Sequence, residues 1–527
     1  MKNFNVTGTC VKHKHYMVDI SAKLNAIEKL VEDENYFTIN RARQYGKTTT
    51  LVYLEKKLAE KGGYICAGIS FEDAGINAFE SEDAFCEMFL GKVSRALEFS
   101  AADEEYVKKW IDPGVSTIDS LSKHITKMCK GAKVVLMVDE VDKSSNNRLF
   151  LHFLGMLRAK FLLRQTGKDF TFYSVILVGV TDIKNLKLKM INDGLHAPLK
   201  EEGKIVNSPW NIAADFEVDM SFSAAEIKTM LVDYESENKT GMNIGIIASE
   251  IHKYTNGYPF LVSKICKHID EKLAKNWTVE SVAQAVRIIL DEKNVLFDDL
   301  VKNLENNPDL QNFIFELLME GKYKQFTYRN LITDLAITYD YIRKGENNRG
   351  AVISNKMFEA CFTDYFVSKK EYSPNGKRVP GVIYKDVIRD GKFDMAMCLC
   401  KFAEHYDETY SMYDKPFLER NGRLLFLAFL VPLLNGRGFY HIESQLTDQR
   451  RMDIVVDFEK EQYIIELKLW KGEAANEKAY EQLLGYMETK NANAGYLLSF
   501  DFRKEKTGSY KAKWVEAAGK KIFDVVV

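Results

Sequence analysis

The sequence predicts an α/β protein of several domains, and three observations carry that prediction. Residues Tyr36–Asn40 (YFTIN) read as a short strand; a loop closing on Gly46-Lys47-Thr48 follows, then a helical stretch that stops at paired glycines. The runs Lys133–Asp142 (KVVLMVDEVD) and Ser174–Val180 (SVILVGV) have the continuous hydrophobicity of strands buried on both faces of a parallel sheet. Near the C-terminal end, Met452–Trp470 (MDIVVDFEKEQYIIELKLW) reads as a β-hairpin between helical segments.

At 527 residues the chain exceeds what one hydrophobic core serves, so about two to four domains are expected. A formal net charge of −2 argues against a global field for nucleic acid and leaves room for a local basic face. The opening MKNFNVTGTCVKHKHY lacks the apolar core of a signal peptide. The longest apolar run, Leu424–Leu434, is interrupted by Pro432 and falls short of the roughly 20 residues of a membrane span. Eight cysteines without CxxC spacing suit reduced thiols, hence a cytoplasmic protein with no membrane partner. His13 and His15 read as a solvated pair, and no HExxH is present.

In the first segment, expected as a domain over 1–220, strand, GKT loop and helix form the architecture of a phosphate-binding P-loop. Gly46 lets the backbone approach the phosphates, and the helix N-terminus favours their charge. Lys47 would reach the β/γ-phosphates and the Thr48 hydroxyl would ligate Mg²⁺, with Arg43 and Thr49 completing the nucleotide contacts. The full pattern asks for glycine five places before Gly46, where Arg41 stands. Asp139 and Glu140 lie at the carboxyl end of a predicted strand, where such sheets bind ligands. There Asp139 would hold Mg²⁺ through water and Glu140 would polarise the attacking water. Thr181, just past the next strand, reads either as a contact to the γ-phosphate or as a plain turn. ATP and Mg²⁺ are the expected cofactors.

These residues resemble the AAA-ATPase-like family of bacterial proteins, which commonly read RPRRFGKS at the phosphate loop and DEYDKP after the second strand. Here the equivalents are Arg41–Thr48 (RARQYGKT) and Asp139–Ser144 (DEVDKS), joined by Tyr16–Ile20 (YMVDI) and Ser208–Ala213 (SPWNIA). The family also lacks the first glycine, so Arg41 is a shared trait. Arg41 and Arg43 either add charge near the phosphates or pack on the domain surface.

A helical lid and winged-helix region is expected over 221–367. Ser223-Ala224-Ala225-Glu226 is a capping box. Asn256-Gly257-Tyr258-Pro259 resembles the adenine-side Gly-x-Pro motif of STAND-type signalling ATPases, which would put Pro259 on the nucleotide; a simple interhelical turn is the other reading. From about residue 307 to 366 the order suits a winged helix, with Thr327 capping a helix over Tyr328–Ile342. Arg329 and Arg343 face Asp334 and Asp340 there, so a structural or regulatory wing is expected over a DNA reader.

Residues 368–382, which concentrate Pro, Gly and charge, read as a linker to a domain over 383–527. Helices are expected over Lys392–Tyr413 and Phe417–Leu434, the second carrying Glu419, followed by the extended Gly438–Glu443. Within the hairpin, a tetrad turn Glu459–Gln462 would bring Asp453 opposite Lys468, with Glu466 on the same face. Carboxylates among such apolar neighbours need a partner, and a divalent metal supplies one. Gln482 and Tyr486, four apart, share a helix face. The spacing Asp-x12-Glu-x-Lys resembles the PD-(D/E)XK nuclease superfamily, whose restriction-endonuclease-like domain is α/β. That resemblance implies that Asp453 and Glu466 bind Mg²⁺, that Lys468 orients the water and stabilises the transition state, and that Gln482 and Tyr486 support the substrate side. Glu419 or Glu443 would supply a further acid. Arg450 stands where the superfamily usually has glycine.

The expectation is an ATPase whose nucleotide state gates a Mg²⁺-dependent nuclease acting on DNA. The alternative is a STAND-type signalling ATPase with an inactive nuclease-like domain that binds nucleic acid or protein. A P-loop phosphotransferase fits less well, because Asp139-Glu140 suit hydrolysis. Arg148, Arg158 and Arg164 follow the acidic motif without marking an arginine finger, and a homo-oligomer stays open.

Overall fold

The computed structural model describes residues 2–527 apart from 101, 144–147, 181–209, 320–321, 346–349, 372–386, 390–391, 411–414, 435–437, 444–451, 459–460, 471, 490–491 and 502–509. Thr181, Ser208 and Pro209, and the arginines Arg450 and Arg451, therefore lie outside the described residues. The chain divides into two compact units. One comprises 1–252, 257–278 and 338–340; the other comprises 253–256, 279–337 and 341–527.

The first unit is built on a parallel sheet of β1 (Tyr36–Asn40), β2 (Ile65–Ser70), β3 (Val134–Asp139) and β4 (Ser174–Gly179), in the order β1-β4-β3-β2. Three of these strands fall where the apolar runs place them. β2 carries no such signal, because ICAGIS spends its centre on small residues with weak strand preference. Ala214 adds a one-residue parallel bridge to Phe37 on the free edge of β1.

Alternation along the strands fixes two cores. Phe37, Ile39, Val135, Met137, Ile176 and Val178 pack on α1 (Ser21–Glu32) and α2 (Lys47–Lys61). The intervening residues Tyr36, Leu136, Val138, Val175 and Leu177 pack on the opposite helices. Those are α3 (Glu82–Leu97), α5 (Ile118–Cys129) and α6 (Arg148–Gln165), with the short α4 (Glu104–Lys108) beside them. A sheet buried on both faces explains why its strands read as unbroken apolar runs. Beyond it come α7 (Ala224–Asn238), α8 (Ile244–Thr255) and α9 (Pro259–Lys272). Ser223 and Glu226 form the predicted capping box at α7.

The second unit opens with α10 (Val279–Asp291), α11 (Val295–Asn306), α12 (Pro308–Leu318) and α13 (Leu331–Thr338), whose last residue belongs to the first unit. The antiparallel pair β5 (Ile342–Lys344) and β6 (Ala351–Ile353) and then α14 (Lys356–Glu371) complete a helix–hairpin–helix order like a winged helix. The predicted helix over Tyr328–Ile342 is corrected at both ends. Asn330, not Thr327, is the cap: its Oδ1 accepts from the backbone of Ile332 and Thr333 at 3.1 and 3.0 Å, while Thr327 accepts only from Arg329 in the preceding turn. Asp340 adopts a left-handed φ of 57°, and the chain continues as β5.

A minimal pair, β7 (Ile388–Arg389) and β8 (Lys392–Phe393), precedes α15 (Met395–Tyr410) and α16 (Lys415–Leu434). The C-terminal sheet contains β9 (Gly438–Glu443), β10 (Met452–Phe458), β11 (Glu461–Leu469), β12 (Ala494–Phe500), β13 (Lys511–Ala517) and β14 (Lys520–Val526). Its order is β13-β14-β12-β11-β10-β9, with β11, β12 and β14 mutually parallel. Helix α17 (Glu473–Thr489) covers one face, setting Ala479, Leu483 and Met487 on Ile464, Leu497 and Ile522. On the other face, Phe402 and Tyr406 of α15 meet Phe500. Among the described residues no helix is long and apolar enough to cross a membrane.

Candidate functional sites

The phosphate loop runs from the end of β1 to the start of α2, and two left-handed residues shape it: Gln44 (φ 57°) and Gly46 (φ 77°). Gly46 is the residue preceding α2, so the loop delivers the chain directly to a helix N-terminus. Lys47 is buried, and its Nζ donates to the carbonyls of Arg41 and Ala42 at 2.9 Å each. Burial lowers the pKa of that ammonium. The Thr48 hydroxyl, on the exposed side, donates to Asp139 Oδ2 at 2.6 Å. The Thr49 hydroxyl accepts from the Cys10 amide at 3.1 Å.

Asp139 ends β3, and its Oδ1 accepts from the amide of Glu140, which itself holds a left-handed φ of 55°. Burial first, and then the neighbouring charge of Asp139, raise the Glu140 carboxyl above its ordinary range. Asp142 follows two residues on. Its carboxylate accepts from the Val180 amide at the end of β4 and lies so close to Gly179 that a Cβ there would come within 2.8 Å of it. Asp142 thereby ties the acidic motif to β4.

The two readings of Arg41 are decided by its contacts. The guanidinium donates to the carbonyls of Asn40 and Val218 at 2.9 Å and lies over the Phe216 ring, which is surface packing. Arg43 is exposed. Pro259 opens α9, and Tyr258 before it reaches the phosphate loop. Of the arginines after the acidic motif, Arg164 is engaged with the carbonyls of Glu34, Phe172 and Tyr173.

In the C-terminal sheet, Asp453 pairs in register with Glu466 of β11 on one side and with Glu443 of β9 on the other. The expected opposition of Asp453 and Lys468 is thus corrected. Glu461 and Gln462 belong to β11, so only two residues separate the strands, and shortening the turn from four to two slides the pairing by two. Three acid-bearing positions consequently form one row across adjacent strands, and Lys468 lies two residues further along the same face. Glu466 is 1% exposed, and its Oε1 lies 2.5 Å from Lys468 Nζ. Lys468 pairs in turn with the fully buried Ser499 of β12, a hydroxyl on that face that no spacing in the sequence marks. Glu419 falls in the first turns of α16, and Gln482 and Tyr486 in α17 above the same face of the sheet. Tyr480 of α17 donates to the buried Asp524 of β14 at 2.6 Å.

The model of a family described as the AAA-like domain matches residues 9–331, more than half of the chain. The chain belongs to the AAA-like domain family. Residues 439–511, which hold the acid row, match the PD-(D/E)XK nuclease superfamily. This AAA-like protein therefore joins a P-loop ATPase-type sheet to a C-terminal PD-(D/E)XK domain. No curated protein matches it. Among solved structures, the Walker-type ATPase PABY2304 of Pyrococcus abyssi is 10% identical over 68% of this chain and 99% of its own, with a TM-score of 0.46. Cdc6p of Pyrobaculum aerophilum is 15% identical over 68% of this chain and 96% of its own, at a TM-score of 0.31. The ORC2 protein of Aeropyrum pernix is 11% identical over 69% and 96%, at 0.36.

Proposed function

We propose that this AAA-like protein binds and hydrolyses ATP, and that its nucleotide state gates a Mg²⁺-dependent nuclease acting on DNA in the cytoplasm. In this reading, residues 1–220 form the ATPase domain, 221–367 the lid and wing, 368–382 the linker, of which 368–371 close α14 and 372–382 lie outside the described residues, and 383–527 the nuclease domain. The observation that carries the ATPase half is the 2.6 Å contact between Thr48 and Asp139, which come from opposite ends of the motif set. A hydroxyl and a carboxylate converging beside a phosphate loop are the oxygen donors a hard divalent cation takes.

Thr48 and Asp139 would hold Mg²⁺ there, and the cation would supply charge neutralisation at the β/γ-phosphates. Lys47, whose ammonium the loop carbonyls of Arg41 and Ala42 hold, would bring its charge to the same phosphates. Glu140, held at a fixed backbone angle, accepts the proton of the attacking water. At the second site, Asp453 and Glu466 would bind Mg²⁺, with Glu443 of the same row, or Glu419, as the further acid. Lys468 orients the attacking water and stabilises charge on the scissile phosphate. Gln482 and Tyr486 support the substrate side from α17. The superfamily resemblance and the phosphodiester chemistry that this donor set suits support a nucleic-acid substrate, and DNA is the one proposed.

The test uses the full chain with labelled duplex DNA, single-stranded DNA and RNA, Mg²⁺ or Mn²⁺, and ATP or ADP. Lys47→Ala is expected to abolish ATP hydrolysis and to make cleavage independent of nucleotide. Asp453→Ala or Glu466→Ala is expected to lower cleavage by about a hundredfold or more while leaving ATP hydrolysis in place. An unchanged ATPase rate in Lys47→Ala would sink the phosphate-loop assignment. Absence of cleavage by the wild type under every condition would leave the signalling reading.

A further inference from the structure

Tyr258 stands immediately before the first residue of α9 and is 1% exposed. Its hydroxyl donates to the backbone carbonyl of Arg43 at 2.5 Å, inside the phosphate loop. Its ring meets Tyr45 of the same loop edge-on, with centroids 4.8 Å apart and planes at 71°. The turn that presents Tyr258 has little freedom. Gly257 holds a φ of 74°, and a Cβ there would lie 2.0 Å from the Phe222 carbonyl. The Phe222 amide also donates to the Gly257 carbonyl at 2.8 Å, directly before the cap of α7. The hydroxyl is thus carried by a backbone clamped between the starts of two lid helices.

The carbonyl that it holds belongs to the peptide joining Arg43 to Gln44. In a trans peptide the C=O and N–H point in opposite directions, so fixing the Arg43 carbonyl toward Tyr258 fixes the Gln44 amide away from it. Gln44 is left-handed, a conformation that a non-glycine residue holds only when its surroundings impose it. Left-handed residues interleaved in a loop turn successive amides into an anion-binding hollow.

We infer that Tyr258 is a positioning residue for the nucleotide site: its hydroxyl sets the Arg43–Gln44 peptide so that the Gln44 amide faces a phosphate, and it carries phosphate occupancy to the start of α9. This rests on the ATP-site reading and adds to it the element that senses the ligand. Pro259 alone, as an adenine contact, would not couple phosphate binding to the lid; a hydrogen bond to the loop backbone does.

The experiment compares wild type, Tyr258→Phe and Lys47→Ala as full chains, using a fluorescent ATP analogue for affinity and ATP for turnover. Tyr258→Phe keeps the ring contact with Tyr45 and removes only the hydroxyl. It is expected to weaken nucleotide binding and raise KM about five- to tenfold, as loss of one hydrogen bond does, with kcat within about twofold. Hydrogen exchange supplies the second readout. In wild type the first-turn amides of α9 become protected on adding the analogue; in Tyr258→Phe that difference is lost. Wild-type affinity together with wild-type protection in Tyr258→Phe would overturn the inference while leaving the ATP site intact. Wild-type protein that binds no nucleotide overturns the ATP-site reading and this inference with it.

Discussion

Among single residues, Glu316 shows how a charged group acts through its partners. Its carboxylate lies 2.5 Å from Lys324 and 2.9 Å from Lys322, and these two ammonium groups pull its pKa down to about 2. A carboxyl depressed in the folded state contributes stability that is complete above the ordinary glutamate range and is lost as pH falls through the folded value. The window is therefore about pH 4.5 down to about 2. With the side chain 17% exposed and Lys322 well into solvent, about 1–2 kcal/mol is at stake. Glu316→Gln is expected to flatten that part of the acid-unfolding curve, and an unchanged midpoint would refute the pairing. Lys47, Thr48, Asp139 and Glu140 are legible in sequence as candidates because a GKT helix start and an acidic strand end are local patterns. The structure brings Thr48 against Asp139, beside Glu140, while Lys47 is held by the loop carbonyls. The contacts of Tyr258 with the Arg43 carbonyl, of Asp142 with the Val180 amide and of Ser499 with Lys468 were not legible, because each meets a backbone group or strand neighbour that only the fold brings in.

For whole elements, the sequence pattern is least distinctive where the chain changes direction. The strands β1, β3 and β4 were plain from their apolar runs, whereas β2 was hidden by its small residues. The C-terminal hairpin was visible, yet its register was not. Glu461 and Gln462 are polar and look like a turn, but each pairs across the sheet, Glu461 with Phe458 and Gln462 with Asp457. Polarity marks exposure, and an exposed strand end is as polar as a loop. The start of α13 illustrates the same ambiguity, because Thr327 and Asn330 are both acceptable caps by type. Their hydrogen bonds separate them: Asn330→Ala is expected to cost about 1 kcal/mol of local helix stability, and Thr327→Ala less than about 0.5. Hydrogen exchange of the α13 amides measures both; equal effects would contradict the cap assignment.

In the molecule as a whole, the two sheets differ in how far along the chain their neighbours lie. The ATPase-type sheet is wholly parallel, and β1 pairs with β4 across more than a hundred residues. The acid row of the C-terminal sheet is assembled otherwise. Glu443, Asp453 and Glu466 come together through β9, β10 and β11, which are consecutive and antiparallel. Sequence-local pairing closes small loops, and small loops close quickly. In pulse-labelling during refolding, the amides of β10 and β11 are expected to gain protection before those of β1 and β4; simultaneous protection would show that the local meander does not nucleate. The order has a consequence for synthesis. The carboxylate positions of the nuclease-like domain are drawn together as soon as residues 438–469 are free, whereas β12, which supplies Ser499 beside Lys468, joins only after α17 has followed. A chain cut short before β12 would therefore bear the row of acids without the strand that pairs Ser499 with Lys468.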